Sequence, residues 1–230
     1  DGRRIPADVI IMANGFSPSA AGAPLRIRGR DMTMREHFEK YGDGAPVAYR
    51  TSFLGGFPNM GILLGPNAAT GHMSIIFTTE REEDLILSVA QEVSNSANAS
   101  SLAIWHLRGT PAGPEVHKIP TFEVKLKAEL DEQHWIVKKM KTLTFSTCDS
   151  WYRDSKSGRV TAVYPDWQWK FLLRCWFPVW NDFTFTGLRQ GAKHPRSTVW
   201  QKIGCALGLG TVPYVDPSET PEIDRKSMGA

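Results

Sequence analysis

Cysteine is scarce in these 230 residues: Cys148, Cys175 and Cys205 are the three present, and they stand far apart. No pair has C-x-x-C spacing, so neither a disulfide framework nor a zinc site is indicated, and a reducing, cytoplasmic setting is expected. Long apolar runs are missing too; none reaches the roughly 18 residues that suggest a membrane span. Charge of one sign is in short supply. Against 27 Lys and Arg stand 24 Asp and Glu, and a net +3 is too small to argue for a nucleic-acid partner. No secretory leader is legible, because Asp1-Gly2-Arg3-Arg4 runs straight into a strand-like segment. His37, His106, His117, His134 and His194 are scattered singly, with no spacing that would gather a metal, and none is assigned a site. There is no initial Met, and the first element reads as the middle of a larger unit. The chain is therefore expected to be the C-terminal part of a longer protein.

The stretch from Gly55 to His72, G-G-F-P-N-M-G-I-L-L-G-P-N-A-A-T-G-H, is the most specific feature present. Turn residues Pro58-Asn59 and Gly65-Pro66-Asn67 bracket a short apolar run, Met60 to Leu64, about as long as a buried strand. Small residues Ala68 to Gly71 follow, and a helical pattern opens at about Met73. Strand, tight turn and helix start together bring backbone N–H groups and a positive dipole end towards an anionic or electron-rich ligand. On that ground the stretch is a candidate cofactor-approach loop.

Around it, Ala7 to Met12 reads as a buried parallel strand closed by a turn at Asn14-Gly15. Thr33 and Glu36 form a capping box for a short helix ending at Tyr41. A helix is expected from Met73 to Val93, with Glu80, Glu82, Glu83 and Asp84 towards solvent and Ile86, Val89, Ala90 and Val93 inward. Leu102 to Leu107 is a candidate strand. Phe122, Val124 and Leu126 alternate as a half-buried strand, and a helix follows to about Leu143. Phe145 to Tyr152 is expected to be a strand ending in a turn. The aromatic stretch Trp167 to Trp180 suits a substrate channel, a membrane surface or plain burial. In the last forty residues, basic positions such as Arg189 and Lys193 precede Gly204, Gly208 and Gly210, glycines that disfavour a stable helix. This tail is expected to be poorly ordered, with contact to an anionic membrane surface as a lesser option.

Three of these segments together resemble one family. Asp8-Val9-Ile10-Ile11-Met12-Ala13-Asn14-Gly15-Phe16 resembles a late strand of flavoproteins with two dinucleotide-binding domains. Gly56-Phe57-Pro58-Asn59, Gly65-Pro66-Asn67 and Gly71-His72 look like the flavin-proximal loop of FAD-dependent monooxygenases. Cys148-Asp149-Ser150-Trp151-Tyr152 with Tyr164-Pro165 is similar to the C-terminal segment of Baeyer–Villiger and related flavin monooxygenases. The resemblance spans roughly residues 1–185, in order.

It implies an α/β fold: the closing half of a Rossmann-like FAD/NAD(P)-binding domain over 1–185, with 186–230 as an extension. It also implies a class B flavoprotein monooxygenase that takes electrons from NADPH through FAD and oxygenates a small organic substrate with O₂. Baeyer–Villiger chemistry is favoured over N- or S-oxygenation, and a non-catalytic remnant without flavin is the reading from another class. By the same resemblance Gly15, Gly65, Pro66, Asn67, Thr70, Gly71 and His72 would lie at the FAD, and Trp151 on the NADP or substrate side. The chain departs from the family pattern in several places. The glycine-rich fingerprints for FAD and NADP pyrophosphates are absent, since Gly204, Gly208 and Gly210 have the wrong spacing. Asn14 stands where the family has Thr. The catalytic arginine expected of the Baeyer–Villiger group falls outside the chain, so no catalytic residue is assigned, and the chain alone is expected to be inactive without the polypeptide preceding it.

Overall fold

A computed structural model describes residues 4, 6–13, 25–69, 74–96, 120–147, 150–154, 157–187 and 199–211. The expectations for Gly15, Thr70, Gly71, His72, Cys148 and the strand Leu102 to Leu107 lie outside them.

The capping box forms as the sequence implies. Thr33 Oγ1 accepts the Glu36 N–H at 3.3 Å and Glu36 accepts the Thr33 N–H at 2.7 Å, which starts α1 at Met34–Tyr41. Helix α2 spans Ile75–Ser96, close to the expected bounds. The alternation at Phe122 and Val124 gives β1, Thr121–Val124, whose two phenyl- and valyl-bearing positions are buried while its polar positions are half-buried. Leu126 does not extend this strand; it opens α3, Leu126–Met140. Helix α4 follows at Gln168–Trp176, strand β2 at Phe183–Thr186 and helix α5 at Val199–Ala206.

Among the described residues the one sheet is the antiparallel ribbon β1–β2, in register from Thr121 opposite Thr186 to Val124 opposite Phe183. The architecture is therefore mixed helix and strand. One core gathers Leu85, Val89, Phe122, Val124, Ile136, Phe171 and Phe183 from α2, α3, α4 and the ribbon, with Phe53 from the segment between α1 and α2. A smaller one, with Met34, Phe38, Val47, Leu54 and Phe57, fixes α1. A buried pair links the two: His37 Nε2 lies 2.8 Å from Glu129 Oε1, and Glu129 Oε2 accepts the Gly55 N–H at 2.8 Å.

Several expectations are corrected. Ala7 to Met12 forms no strand and pairs with none of those described, with a bend at Asp8, and Val9, Ile10, Ile11 and Met12 are 77–86% exposed. A parallel strand is buried only when neighbours flank it, and no described segment supplies one. Met60 to Leu64 is not a strand; Ile62 N–H reaches the Ser52 carbonyl while Leu63 and Leu64 are about half exposed. The described residues between Phe145 and Tyr152 form no strand either. A 3₁₀ turn occupies Thr144–Ser146, closed by the Ser146 and Thr147 hydroxyls on the Leu143 and Thr144 carbonyls. Gly204 does not prevent a helix: it lets α5 lie against Phe177, whose ring would stand 2.1 Å from a Cβ at that position. The aromatic stretch is mostly not buried, since Trp167, Trp169 and Trp176 are 50–60% exposed while Phe171 faces the core. No described helix is long and apolar enough to cross a membrane.

Candidate functional site

The turn at Gly65-Pro66-Asn67 is built by its neighbours rather than by its own sequence alone. Leu64 and Asn67 both take left-handed backbone, φ +53° and +60°, with Gly65 between them. Gly65 is required there for a different reason than φ: a Cβ on it would lie 1.9 Å from the Thr51 carbonyl oxygen. Thr51 and Arg50 are themselves left-handed, φ +62° and +47°, an arrangement that costs a non-glycine residue on the order of 1–2 kcal/mol. Packing offsets that strain. The Arg50 guanidinium donates to the carbonyls of Arg174, Phe177 and Gly210 and to the Tyr49 hydroxyl, which in turn donates to Asp182 at 2.6 Å. Burial pushes the Tyr49 phenol well above its ordinary value, so this hydroxyl remains a donor.

Asn67 is buried, and both hydrogens of its amide are in use. Nδ2 donates to the Val160 carbonyl at 2.9 Å and to the Val163 carbonyl at 3.1 Å, while the backbone N–H donates to Thr161 at 2.7 Å. Ala68 N–H turns back to Gly65, Ala69 N–H reaches Ala162, and Tyr164 N–H reaches Ala69. The donors of residues 67 to 69 are thus committed within the protein. Beyond this turn the described chain resumes at the start of α2. That start is partly capped, with Ser74 Oγ accepting the Phe77 N–H at 3.2 Å.

The same bonds bring two distant segments together. Residues 152–154 and 159–161 are the two arms of an antiparallel hairpin, with Arg153 bridged to Val160 and Thr161 N–H on the Tyr152 carbonyl at 2.9 Å. Its returning arm then bonds Asn67 and pairs Ala69 with Val163 in parallel. The backbone of Tyr152 therefore lies two strand spacings, roughly 10 Å, from that of Asn67. Trp151 stands at the base of this hairpin, 59% exposed, its ring 4.3 Å from that of Tyr152. It is not a core tryptophan.

Glu82 was expected on the solvent side of α2 and is instead wholly buried. Oε1 accepts from Thr51 Oγ1 at 2.6 Å and Oε2 from the Leu64 N–H at 2.7 Å. Burial raises its pKa to about 7, against the opposing effect of those two bonds. A signal for this did exist: Thr78, Glu82, Leu85, Val89 and Val93 follow at helical spacing, so Glu82 belongs to the inward stripe. No metal-ligating cluster of His, Cys, Asp and Glu occurs among the described residues.

No protein-family model matches the chain. Its sequence is 28% identical over 177 residues to a Baeyer-Villiger monooxygenase of Pseudomonas aeruginosa, covering 74% of this chain and 28% of that protein. It is 26% identical over 180 residues to the FAD-binding monooxygenase ktnD of Aspergillus niger, covering 78% of this chain and 26% of that one. A crystal structure of OTEMO in complex with FAD and NADP shares the fold over 70% of this chain and 26% of its own, with a TM-score of 0.50 and 16% identity. The chain spans about a quarter of the length of the proteins it matches.

Proposed function

We infer, from a chain that is by sequence a relative of the Baeyer–Villiger and FAD-binding monooxygenases, that it contributes the closing half of a Rossmann-like FAD domain to a larger flavoenzyme. In that enzyme NADPH, a proton, O₂ and a small ketone become NADP⁺, water and an ester, one oxygen atom entering the carbon–carbon bond beside the carbonyl. FAD, when bound, supplies the electron transfer and the oxygen activation. This chain's residues shape one wall of the site. Gly65, Pro66 and Asn67 set the turn, and the backbone of Thr70, Gly71 and His72 approaches the flavin's polar edge. Trp151 presents its indole to the nicotinamide or the substrate, and Gly15 allows close backbone approach. Residues 186–230 form the C-terminal extension.

The observation that carries this reading is the hydrogen-bonded path from Asn67 through Thr161 to Tyr152. It joins in one layer the flavin-loop-like and the Trp151 segments, 84 positions apart, that a shared site requires. Trp151 is also solvent-facing, as a residue that touches a bound nucleotide must be before the nucleotide arrives. The relatives' names favour ketone oxygenation over amine or sulfide chemistry.

The test is expression of this coding sequence together with the coding sequence upstream of it. A protein that releases FAD on heating and oxidises NADPH in step with ester formation is expected. Trp151→Ala in that protein should raise the NADPH KM by more than tenfold while leaving the FAD content unchanged. A preparation that neither holds nor takes up FAD would overturn the reading.

A further inference from the structure

Glu82 lies between two backbone segments that belong to neither end of its own helix. Its Oε1 is 2.6 Å from Thr51 Oγ1, and the same Oγ1 is 2.5 Å from the Arg50 carbonyl oxygen. A hydroxyl has one hydrogen and can accept as well as donate. With Glu82 ionised, Thr51 donates to Oε1. With a proton on Oε1, Glu82 donates to Thr51, and the Thr51 hydroxyl rotates to donate to the Arg50 carbonyl. Leu64 N–H stays on Oε2 throughout. Both carboxylate oxygens and the Thr51 hydroxyl keep a partner in both states, and the Arg50 carbonyl takes up the Thr51 hydrogen only when Glu82 is protonated, although the carboxyl has no exposed surface.

The other ionisable groups around it are engaged elsewhere. Arg81, next on α2, pairs with Asp84 at 2.8 Å and Glu80 at 3.5 Å. Helix α4 brings Cys175, its thiol pushed up to about 12 by burial, and Arg174, which pairs with Glu132. Arg50 is spread over the three carbonyls and the Tyr49 hydroxyl.

We propose that Glu82, the Thr51 hydroxyl and the Arg50 carbonyl form a reversible hydrogen-bond relay that positions the Leu64–Asn67 turn identically whether Glu82 is charged or neutral. A proton from water forms the new O–H bond at Oε1. The Thr51 O–H bond rotates and does not break, so no proton leaves the hydroxyl. The relay goes beyond the flavin reading and does not need it; only its importance for cofactor approach rests on that reading.

The amide of Leu64 reports both halves of the claim. In the ¹⁵N-labelled chain without flavin, its resonance should titrate once, near neutrality. Its hydrogen exchange, corrected for the intrinsic pH effect, should not quicken as Glu82 takes up the proton. Glu82→Gln places an N–H where the acid proton sits, so the titration should vanish and the protection remain. Thr51→Ser should behave as the unaltered chain. Thr51→Val leaves the protonated carboxyl without an acceptor, and protection of Leu64 should then fall tenfold or more on the acid side. A Leu64 resonance that does not titrate, or one that still titrates in Glu82→Gln, would overturn the relay. So would faster exchange of Leu64 on protonation in the unaltered chain, a measurement that needs no variant to fold.

Discussion

Arg174 on α4 and Glu132 on α3 meet at 2.6 Å, Nη2 to Oε2, with side chains only 7% and 2% exposed. The guanidinium also lies 5.1 Å from the Trp135 ring centroid and 3.5 Å from the Tyr164 hydroxyl. Burial alone would lower the arginine's pKa, but the neighbouring Glu132 and Tyr164 oxygens outweigh it, so the charge is held firmly. A buried pair is costly to break by halves, because the remaining charge is left without a partner. Arg174→Met and Glu132→Leu should each cost about 3–5 kcal/mol, read as a lower denaturant midpoint at constant slope. The double variant Glu132→Leu/Arg174→Met should recover most of that loss. Additive single losses would mean the two side chains are held by other contacts.

Asn67 is the residue on which the turn depends most. It supplies left-handed backbone together with two side-chain bonds to buried carbonyls. Asn67→Ala loses all three and should destabilise by about 2–4 kcal/mol. Asn67→Gly restores only the backbone freedom and should fall between. Unfolding monitored by tryptophan fluorescence checks the order. If Ala and Gly variants are equal, the left-handed conformation contributes nothing.

Glu82 makes stability depend on pH with a defined sign. Its folded pKa of about 7 lies above the ordinary carboxylate value of 4.5, so the folded chain binds the proton more tightly than the unfolded one. Stability is therefore greatest below pH 4.5 as far as this group is concerned, falls as pH rises towards 7, and is flat above. The full loss is about 3 kcal/mol. Glu82→Gln cannot ionise. The difference in unfolding free energy between the two chains should grow in the variant's favour between those pH values and then level off. A difference independent of pH would show that Glu82 titrates at its ordinary value.

What was legible in the sequence was local. The Thr33/Glu36 box, the helical spacing of Ile86, Val89, Ala90 and Val93, and the alternation of Phe122 and Val124 each act within a few residues, and each formed the expected element. The site was legible as a run of turn residues but not in its supports. Glu82 with Thr51, Asn67 with Val160, Arg50 with Gly210 and His37 with Glu129 join positions 31 to 160 apart. Charged and polar groups in such pairs look like surface residues until the partner is known, which is why Glu82 was placed in solvent. The apolar run Ala7 to Met12 misled in the opposite direction: its composition states that it should be covered, while nothing described covers it.

That run sets the solution behaviour of the chain. Val9, Ile10, Ile11 and Met12 form four consecutive apolar residues, about four-fifths exposed, with their backbone groups unpaired among the described residues. Such a segment is a template for edge-to-edge pairing between chains, and charge on it is the usual countermeasure. The purified chain should therefore self-associate in a concentration-dependent way. Ile10→Lys/Ile11→Lys should abolish the association seen by light scattering. Because these side chains touch none of the described core, the unfolding free energy should change by less than about 0.5 kcal/mol. The contrast between the two readouts is what identifies the segment. An unaltered chain that stays monomeric at high concentration, or a lysine variant that unfolds far more easily, would mean the run is already covered by other parts of the molecule.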